Sequence, residues 1–130
     1  MSTLVAQTIS NGSVSTSTAN VINGAKAWVN FNGGNGNTAG AINASYNVSS
    51  ITVNGTGDYS VNFTNAFADA NYSVNCSGQR ENTGSNVNLI TNVSSNGGTG
   101  SIATGSVRVG SANDGGTSVN CFKYCVAIFR

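Results

Sequence analysis

The chain contains no histidine, the residue that most often serves as a general base or a metal ligand in proteins. Without it, neither a Ser/His/Asp triad nor a Cys/His pair can be assembled. The spacing of the acidic residues does not pair two carboxyls across a sugar, as a glycosidase requires. These scattered acidic residues are Asp58, Asp69, Glu81 and Asp114. The sequence therefore predicts a protein that is not an enzyme and has no cofactor.

Charge of either sign is also sparse. Five Lys and Arg residues stand against four Asp and Glu residues, which gives a net charge of +1. Proteins that bind nucleic acid cluster basic side chains to neutralise phosphates, and this chain has no basic stripe. No apolar run approaches the roughly 20 residues that span a bilayer, and no signal-peptide pattern opens the chain. We therefore expect no nucleic acid partner, no membrane insertion and no export signal.

Cysteine is limited to Cys76, Cys121 and Cys125. An odd number disfavours the closed disulfide framework of small secreted proteins. Cys121 and Cys125 would lie roughly 13 Å apart on one strand, so they cannot bond to each other there, although Cys76 could pair with either across a sheet. A zinc site would need a fourth ligand and closer spacing. Free, buried structural thiols made in a reducing cytoplasm are the favoured interpretation.

The residues that are abundant favour strands and turns. The chain has 17 glycines and 38% hydrophobic residues, with many Asn, Ser and Thr between apolar clusters. Turn signals recur about every 8 to 12 residues, which is typical of all-β domains. We predict about eight to ten short strands in an antiparallel β-sandwich of the jelly-roll or immunoglobulin-like kind. Residues 25–130 form the predicted sandwich, and residues 1–24 form a short extended N-terminal arm.

The first clear strand covers residues 25–31. Ala27, Val29 and Phe31 alternate with larger or polar neighbours, as a pleat of period two requires, so Trp28 points to the opposite face. The alternation continues on a second predicted strand, where the residues sharing one face are Ile42, Ala44, Tyr46 and Val48.

The apolar register then slips by one residue. It passes from Val48 to Ile51 across two serines, which predicts a β-bulge or a sharp bend at Ser49 and Ser50. The following Asn-Gly-Thr-Gly sequence of residues 54–57 predicts a hairpin turn, because Asn and Gly tolerate positive φ angles.

The last predicted strand, residues 119–129, is apolar on both faces. Such a strand is either central to a sandwich or covered by a neighbouring subunit. We therefore expect contacts with another subunit or another protein from one of its faces and from the arm. The residues predicted to make these contacts are Leu4, Val5, Ile9, Phe122, Tyr124, Val126 and Ile128.

Three loop residues are candidate contacts for a partner. They are Phe67, an aromatic residue in a loop, and the adjacent pair Arg80 and Glu81. Ordinary packing of Phe67 and a solvated charge pair are the competing interpretations.

Four motifs follow one another between residues 26 and 72: KAWVNFNG at residues 26–33, SYNVSSIT at 45–52, NGTGDYSVNF at 54–63 and DANY at 69–72. Together they resemble a module that is common in tail-fibre and other virion surface proteins of bacteriophages. The resemblance covers residues 25–76, and the opening MSTL and the VAIF of residues 126–129 are similar to small stand-alone versions. Residues 78–120 match nothing in such modules, and a Gly/Asn-rich insertion follows Phe31.

The resemblance implies a non-enzymatic virion structural protein, made in the host cytoplasm and carried on the virion surface. It suggests a homotrimer that docks on phage tail proteins and presents loops to a host cell-surface glycan or protein. The alternative is a capsid decoration, or cement, protein that stabilises the phage head through contacts with capsid proteins. Strand frameworks are shared while loops select partners, so the resemblance does not identify a receptor.

Overall fold

The computed structural model describes residues 8–10, 15–17, 24–34, 36, 38–80, 90–93 and 101–130. The secondary structure of these residues is entirely β. Its strands are β1 (Thr8–Ser10), β2 (Ser15–Ser17), β3 (Ala27–Asn32), β4 (Ile42–Tyr46), β5 (Val48–Gly55), β6 (Asp58–Phe63), β7 (Ser73–Gln79), β8 (Ile90–Val93), β9 (Ser106–Ala112) and β10 (Lys123–Phe129). No helix in this part of the chain is long and apolar enough to cross a membrane.

Two four-stranded antiparallel sheets pack together. Sheet I has the strand order β4-β3-β10-β7, and sheet II has the order β5-β6-β9-β8. The predicted antiparallel β-sandwich is therefore confirmed. The C-terminal strand β10 lies between β3 and β7, as its apolar character on both faces indicates for a central strand.

The core lies between the two sheets. Strand β3 contributes Ala27, Val29 and Phe31, all at most 1% exposed, and Trp28 points outward as the alternation predicts. The other buried hydrophobic residues are Val48, Tyr59, Val61, Phe63, Tyr72, Val107, Val109, Cys121, Tyr124, Val126 and Ile128. This is one continuous apolar layer, which is the arrangement expected of a single sandwich.

The prediction that Ile42, Ala44, Tyr46 and Val48 share one face of a strand is wrong, because Val48 is buried and belongs to the next strand. All five residues of β4 are exposed, including Ile42 and Tyr46. Ala44 and Tyr46 pair with Asn30 and Trp28, which face outward, and directly paired residues share a face of a sheet. β4 is also an edge strand, so its apolar residues receive little cover.

The chain crosses between the sheets at Asn47, and this crossing explains why Val48 is buried when β4 is not. Asn47 has a positive φ of 54°, a conformation that Asn tolerates better than most residues. Its side-chain amide donates to the carbonyls of Lys26 and Asn65, and its Oδ1 accepts from the Asn65 backbone N–H. Val48 then begins a strand of sheet II.

The predicted bulge and hairpin are both confirmed. The pairing of β5 with β6 shifts between Val48 and Ser50, which returns Ile51 to the core side. The hairpin turns at residues 56–57, and Gly57 adopts the positive φ of 63° that the turn requires.

The predicted N-terminal arm contains two short strands. β1 pairs with β2 in a two-stranded antiparallel sheet, with Ile9 opposite Thr16. Leu4 and Val5 lie outside the described residues.

Candidate functional site

The two outer faces of the sandwich differ in chemistry. On sheet II, the side chains of β5 and β6 form a ladder of hydrogen bonds. Asn62 Nδ2 donates to Ser50 Oγ at 3.1 Å and to Thr52 Oγ1 at 2.9 Å, and Asn54 Nδ2 donates to Ser60 Oγ at 2.9 Å. These hydrogen bonds lie on the exposed outer face of sheet II and link its side chains to one another.

Two carboxylates are committed to ion pairs. The Arg108 guanidinium bonds both oxygens of Asp58, with Nε at 2.7 Å from Oδ1. This bidentate hydrogen bond holds the pKa of Asp58 below its ordinary value of 3.8. Asp69 pairs with Arg130 at 2.5 Å. Among the described residues, no group of three His, Cys, Asp or Glu side chains could hold a metal ion.

The outer face of sheet I is aromatic and uncharged at its centre. The pairing register sets two adjacent rows of side chains across its four strands. One row runs Tyr46, Trp28, Ala127, Asn75, and the next runs Ala44, Asn30, Cys125, Ser77. Trp28 is 40% exposed, Tyr46 59% and Phe129, two residues beyond Ala127 on β10, 42%. Exposed large aromatics gathered on one face are typical of contact surfaces.

A groove of about 320 Å³ lies across these rows. Its lining residues are Trp28, Val29, Asn30, Asn75, Ser77, Cys125, Val126 and Ala127. Ala127 and Cys125 have short side chains on the central strand, so the larger Trp28 on β3 and Asn75 on β7 rise on either side of them. The volume lies at the lower end of the range for small-molecule sites.

The polar groups of the groove have hydrogen-bonding capacity to spare. Asn30 Oδ1 accepts from Asn43 Nδ2 at 2.9 Å, which orients the Asn30 amide so that its Nδ2 remains a donor. The side chains of Asn75 and Ser77 make no hydrogen bond to another described residue. The groove therefore combines an indole with amide and hydroxyl groups. We take it and its aromatic surroundings as the candidate binding face.

Most of the predicted contact residues of the C-terminal strand are not on this face. Tyr124, Val126 and Ile128 are at most 3% exposed and fill the core of their own chain, so they are not available to a second subunit. The prediction that they contact a neighbouring subunit is wrong because sheet II of the same chain covers them. Phe122 is half-buried just before β10.

The remaining predicted contacts have varied positions. Phe67 is half-buried and packs against Phe63 and Tyr72, with ring centroids 4.8 and 5.1 Å away, so intramolecular packing accounts for it. Arg80 is half-buried at the end of β7, and Glu81 lies outside the described residues. For Ile9 only the backbone pairing is described.

Sequence reasoning identified the outward direction of Trp28 but missed the groove. A usable signal was present: Cys125 and Ala127 are small residues on the face of the last strand opposite Tyr124 and Val126. What the sequence lacked was the pairing that sets them between Trp28 and Asn75.

No protein-family model matches the chain, and neither a curated protein nor a solved structure is significantly similar to it.

Proposed function

We propose that the protein is a non-enzymatic structural component of a bacteriophage virion, a tail-fibre-like surface module that contacts the host cell through the outer face of sheet I. The observation that carries this proposal is the contrast between the two outer faces. Both faces carry side chains that are hydrogen-bonded to one another, but sheet I in addition exposes three large aromatic side chains, Trp28, Tyr46 and Phe129, around an open groove. A face of this kind serves contact better than it serves solubility.

The ionic chemistry supports a contact role over a catalytic one. Asp58 and Asp69 are held by arginines, and the lowered pKa of Asp58 keeps it ionised where a general acid must be protonated. The binding face lies on paired strands, so its side chains are held in a fixed arrangement before a partner arrives. The motifs of residues 26–33, 45–52, 54–63 and 69–72 supply the virion context by resemblance.

Localisation on the particle tests the virion role. Antibody-labelled electron microscopy of the phage that encodes this chain is expected to show the protein on the tail. Signal on the head would instead support the capsid decoration function, and absence from purified particles would contradict both.

Competition tests the attachment role and the face. Purified protein added to host cells is expected to slow adsorption of the phage, and Trp28→Ala is expected to abolish that inhibition. Ser60→Ala, on the bonded outer face of sheet II, is the matched control and should inhibit like the unchanged protein. Equal inhibition by both variants would exclude this face.

Assembly as a homotrimer is part of the same proposal. With Tyr124, Val126 and Ile128 engaged in the core, subunit contacts are assigned to residues 1–24 and not to the inner face of β10. Light scattering is expected to give three times the mass of the 13.1 kDa chain and a monomer after removal of residues 1–20. A full-length monomer at micromolar concentration would contradict this assembly.

A further inference from the structure

We propose that the groove over Ala127 and Cys125 binds an uncharged sugar residue, with Trp28 packing against the sugar ring. This inference rests on the proposed attachment function and names the ligand class for it. A sugar ring has an apolar C–H face and a rim of hydroxyls, so a site for it needs an aromatic surface beside amide and hydroxyl groups. The groove offers this combination in Trp28, Asn30, Asn75 and Ser77.

The spacing across the sheet fits one ring. Trp28 and Asn75 flank Ala127 on neighbouring strands, and two strand spacings separate them by roughly 10 Å between backbones. The gap between them is lined by short side chains, so a ring can enter edge-on beside the indole. A volume of about 320 Å³ accommodates a ligand of one or two rings.

The polar groups point to hydroxyls as their partners. Asn75 and Ser77 have side-chain donors and acceptors that no described residue engages, and Asn30 has its oxygen engaged by Asn43 and its amide nitrogen available. A ligand with several hydroxyls can both donate to and accept from such groups. A purely apolar ligand would leave them without partners on binding, at a cost in affinity.

The absence of charge in the lining selects against acidic sugars. None of the eight lining residues is an Asp, Glu, Lys, Arg or His. Lys123 lies one row further along β10, opposite Asn32 and Gln79, and is not part of the lining. Binding of an uncharged sugar is therefore expected to be nearly independent of ionic strength.

The chain carries its own reporter for this test, because Trp28 is its single tryptophan. The full-length protein is first applied to an array of uncharged and sialylated or sulfated oligosaccharides. The uncharged oligosaccharide that binds most tightly on the array is then titrated into the protein while the fluorescence of Trp28 is recorded. We expect a saturable change in emission and an affinity that is unaltered between about 50 mM and about 500 mM salt.

Variants locate the site. Trp28→Ala and Asn75→Ala, measured by calorimetry with the same oligosaccharide, should each weaken binding by about tenfold or more. Tyr46→Ala removes an exposed aromatic from the same face but outside the lining, and it should retain full affinity. All three positions are exposed, so melting temperatures should change little, and a variant that fails to fold would be replaced by Trp28→Gln or Asn75→Asp.

The outcomes separate this inference from the proposed function. No binding on the array, or binding only of acidic sugars that is lost at high salt and in Lys123→Gln, would overturn the sugar assignment. In another outcome, no sugar binds while the unchanged protein still inhibits phage adsorption and Trp28→Ala does not. The outer face of sheet I would then still serve attachment, with a protein as the partner. Sugar binding by a protein absent from the particle would uphold the groove and overturn the virion role.

Discussion

Tyr59 and Tyr124 cross between the two sheets in opposite directions. Their rings meet edge to face with centroids 5.7 Å apart. Tyr59, from β6 of sheet II, donates its hydroxyl to the carbonyl of Gly33 just after β3, and Tyr124, from β10 of sheet I, donates at 2.6 Å to the carbonyl of Gly110 in β9. Each sheet therefore contributes one tyrosine whose hydroxyl donates a hydrogen bond to a backbone carbonyl of, or next to, the other sheet.

Removing either hydroxyl should destabilise the sandwich without changing its packing. Tyr59→Phe and Tyr124→Phe each delete a buried hydrogen bond while keeping the ring, and we expect each to lower the free energy of unfolding by about 1 to 2 kcal/mol. Tyr46→Phe, on a side chain that is 59% exposed, is the control and should stay within about 0.5 kcal/mol. Urea denaturation of the three variants provides the measurement, and equal stabilities would contradict the assigned role.

The hairpin glycine should tolerate no side chain. Gly57 has φ +63°, and a Cβ there would overlap the carbonyl oxygen of Ser111 and lie 2.5 Å from that of Val119. Because both obstacles are backbone atoms, Gly57→Ala is expected to cost more than about 2 kcal/mol. Gly55→Ala is a matched control two residues away, where no atom lies within 4 Å of the added Cβ. Thermal unfolding should separate the two variants, and a Gly57→Ala protein as stable as Gly55→Ala would contradict the turn geometry.

The Asp58–Arg108 pair should make stability fall in acid. The hydrogen bond from Arg108 lowers the pKa of Asp58 from 3.8, so the folded state favours the ionised form. Its contribution is complete above pH 3.8 and is lost as the pH falls through the lower folded value. Because Asp58 is 13% exposed, Asp58→Asn should lower stability at pH 7 by about 1 kcal/mol.

Urea denaturation from pH 7 to pH 2 measures this dependence. The difference between the unchanged protein and Asp58→Asn is expected to shrink below pH 3.8. Asp114→Asn, at an exposed turn position, is the control for the substitution itself and should stay within about 0.5 kcal/mol of the unchanged protein at pH 7. A difference between Asp58→Asn and the unchanged protein that stayed constant down to pH 2 would show that the ion pair is not its source.

Local sequence patterns predicted the parts of the fold that local patterns control. The alternation in β3, the bulge at Ser49 and Ser50 and the hairpin before Asp58 all depend on residues that are neighbours in the chain. The face of β4 was predicted wrongly because the apolar alternation runs unbroken from Tyr46 into Val48 while the backbone changes sheets at Asn47. Because the backbone turns at this one residue, apolar side chains that alternate regularly along the sequence are exposed before it and buried after it.

The binding face depends on pairing between strands that are distant in sequence. Trp28, Ala127 and Asn75 come together only because β10 lies between β3 and β7. The same order buries Tyr124 and leaves Cys125 outside. A single sequence contains the alternation that separates these two faces, but the choice of which face meets the second sheet is a long-range property.

The three thiols should differ in reactivity, in an order that follows their positions. Cys125 is half-buried and lines the open groove. Cys76 is half-buried but packs against the core, where burial raises its pKa. Cys121 is 0% exposed, and burial raises its pKa to about 11. Since the thiolate is the reactive form and must be reached by the reagent, we expect Cys125 to react first, Cys76 later and Cys121 only on unfolding. The expectation that all three are buried is therefore corrected for Cys125 and Cys76.

The pairing register excludes a disulfide between Cys76 and Cys125. Cys76 lies opposite Val126 and so shares the inner face with it, whereas the adjacent Cys125 points outward. Side chains on opposite faces of a sheet cannot bring their sulfurs to bonding distance. All three cysteines are free in the structure.

Mass spectrometry of iodoacetamide-treated protein at pH 8, followed over time and mapped by peptide, measures the order in which the three thiols react. Three labels after unfolding without reductant are expected; a single label would establish a bridge, and labelling of native Cys121 before Cys125 would contradict the arrangement of the sheets.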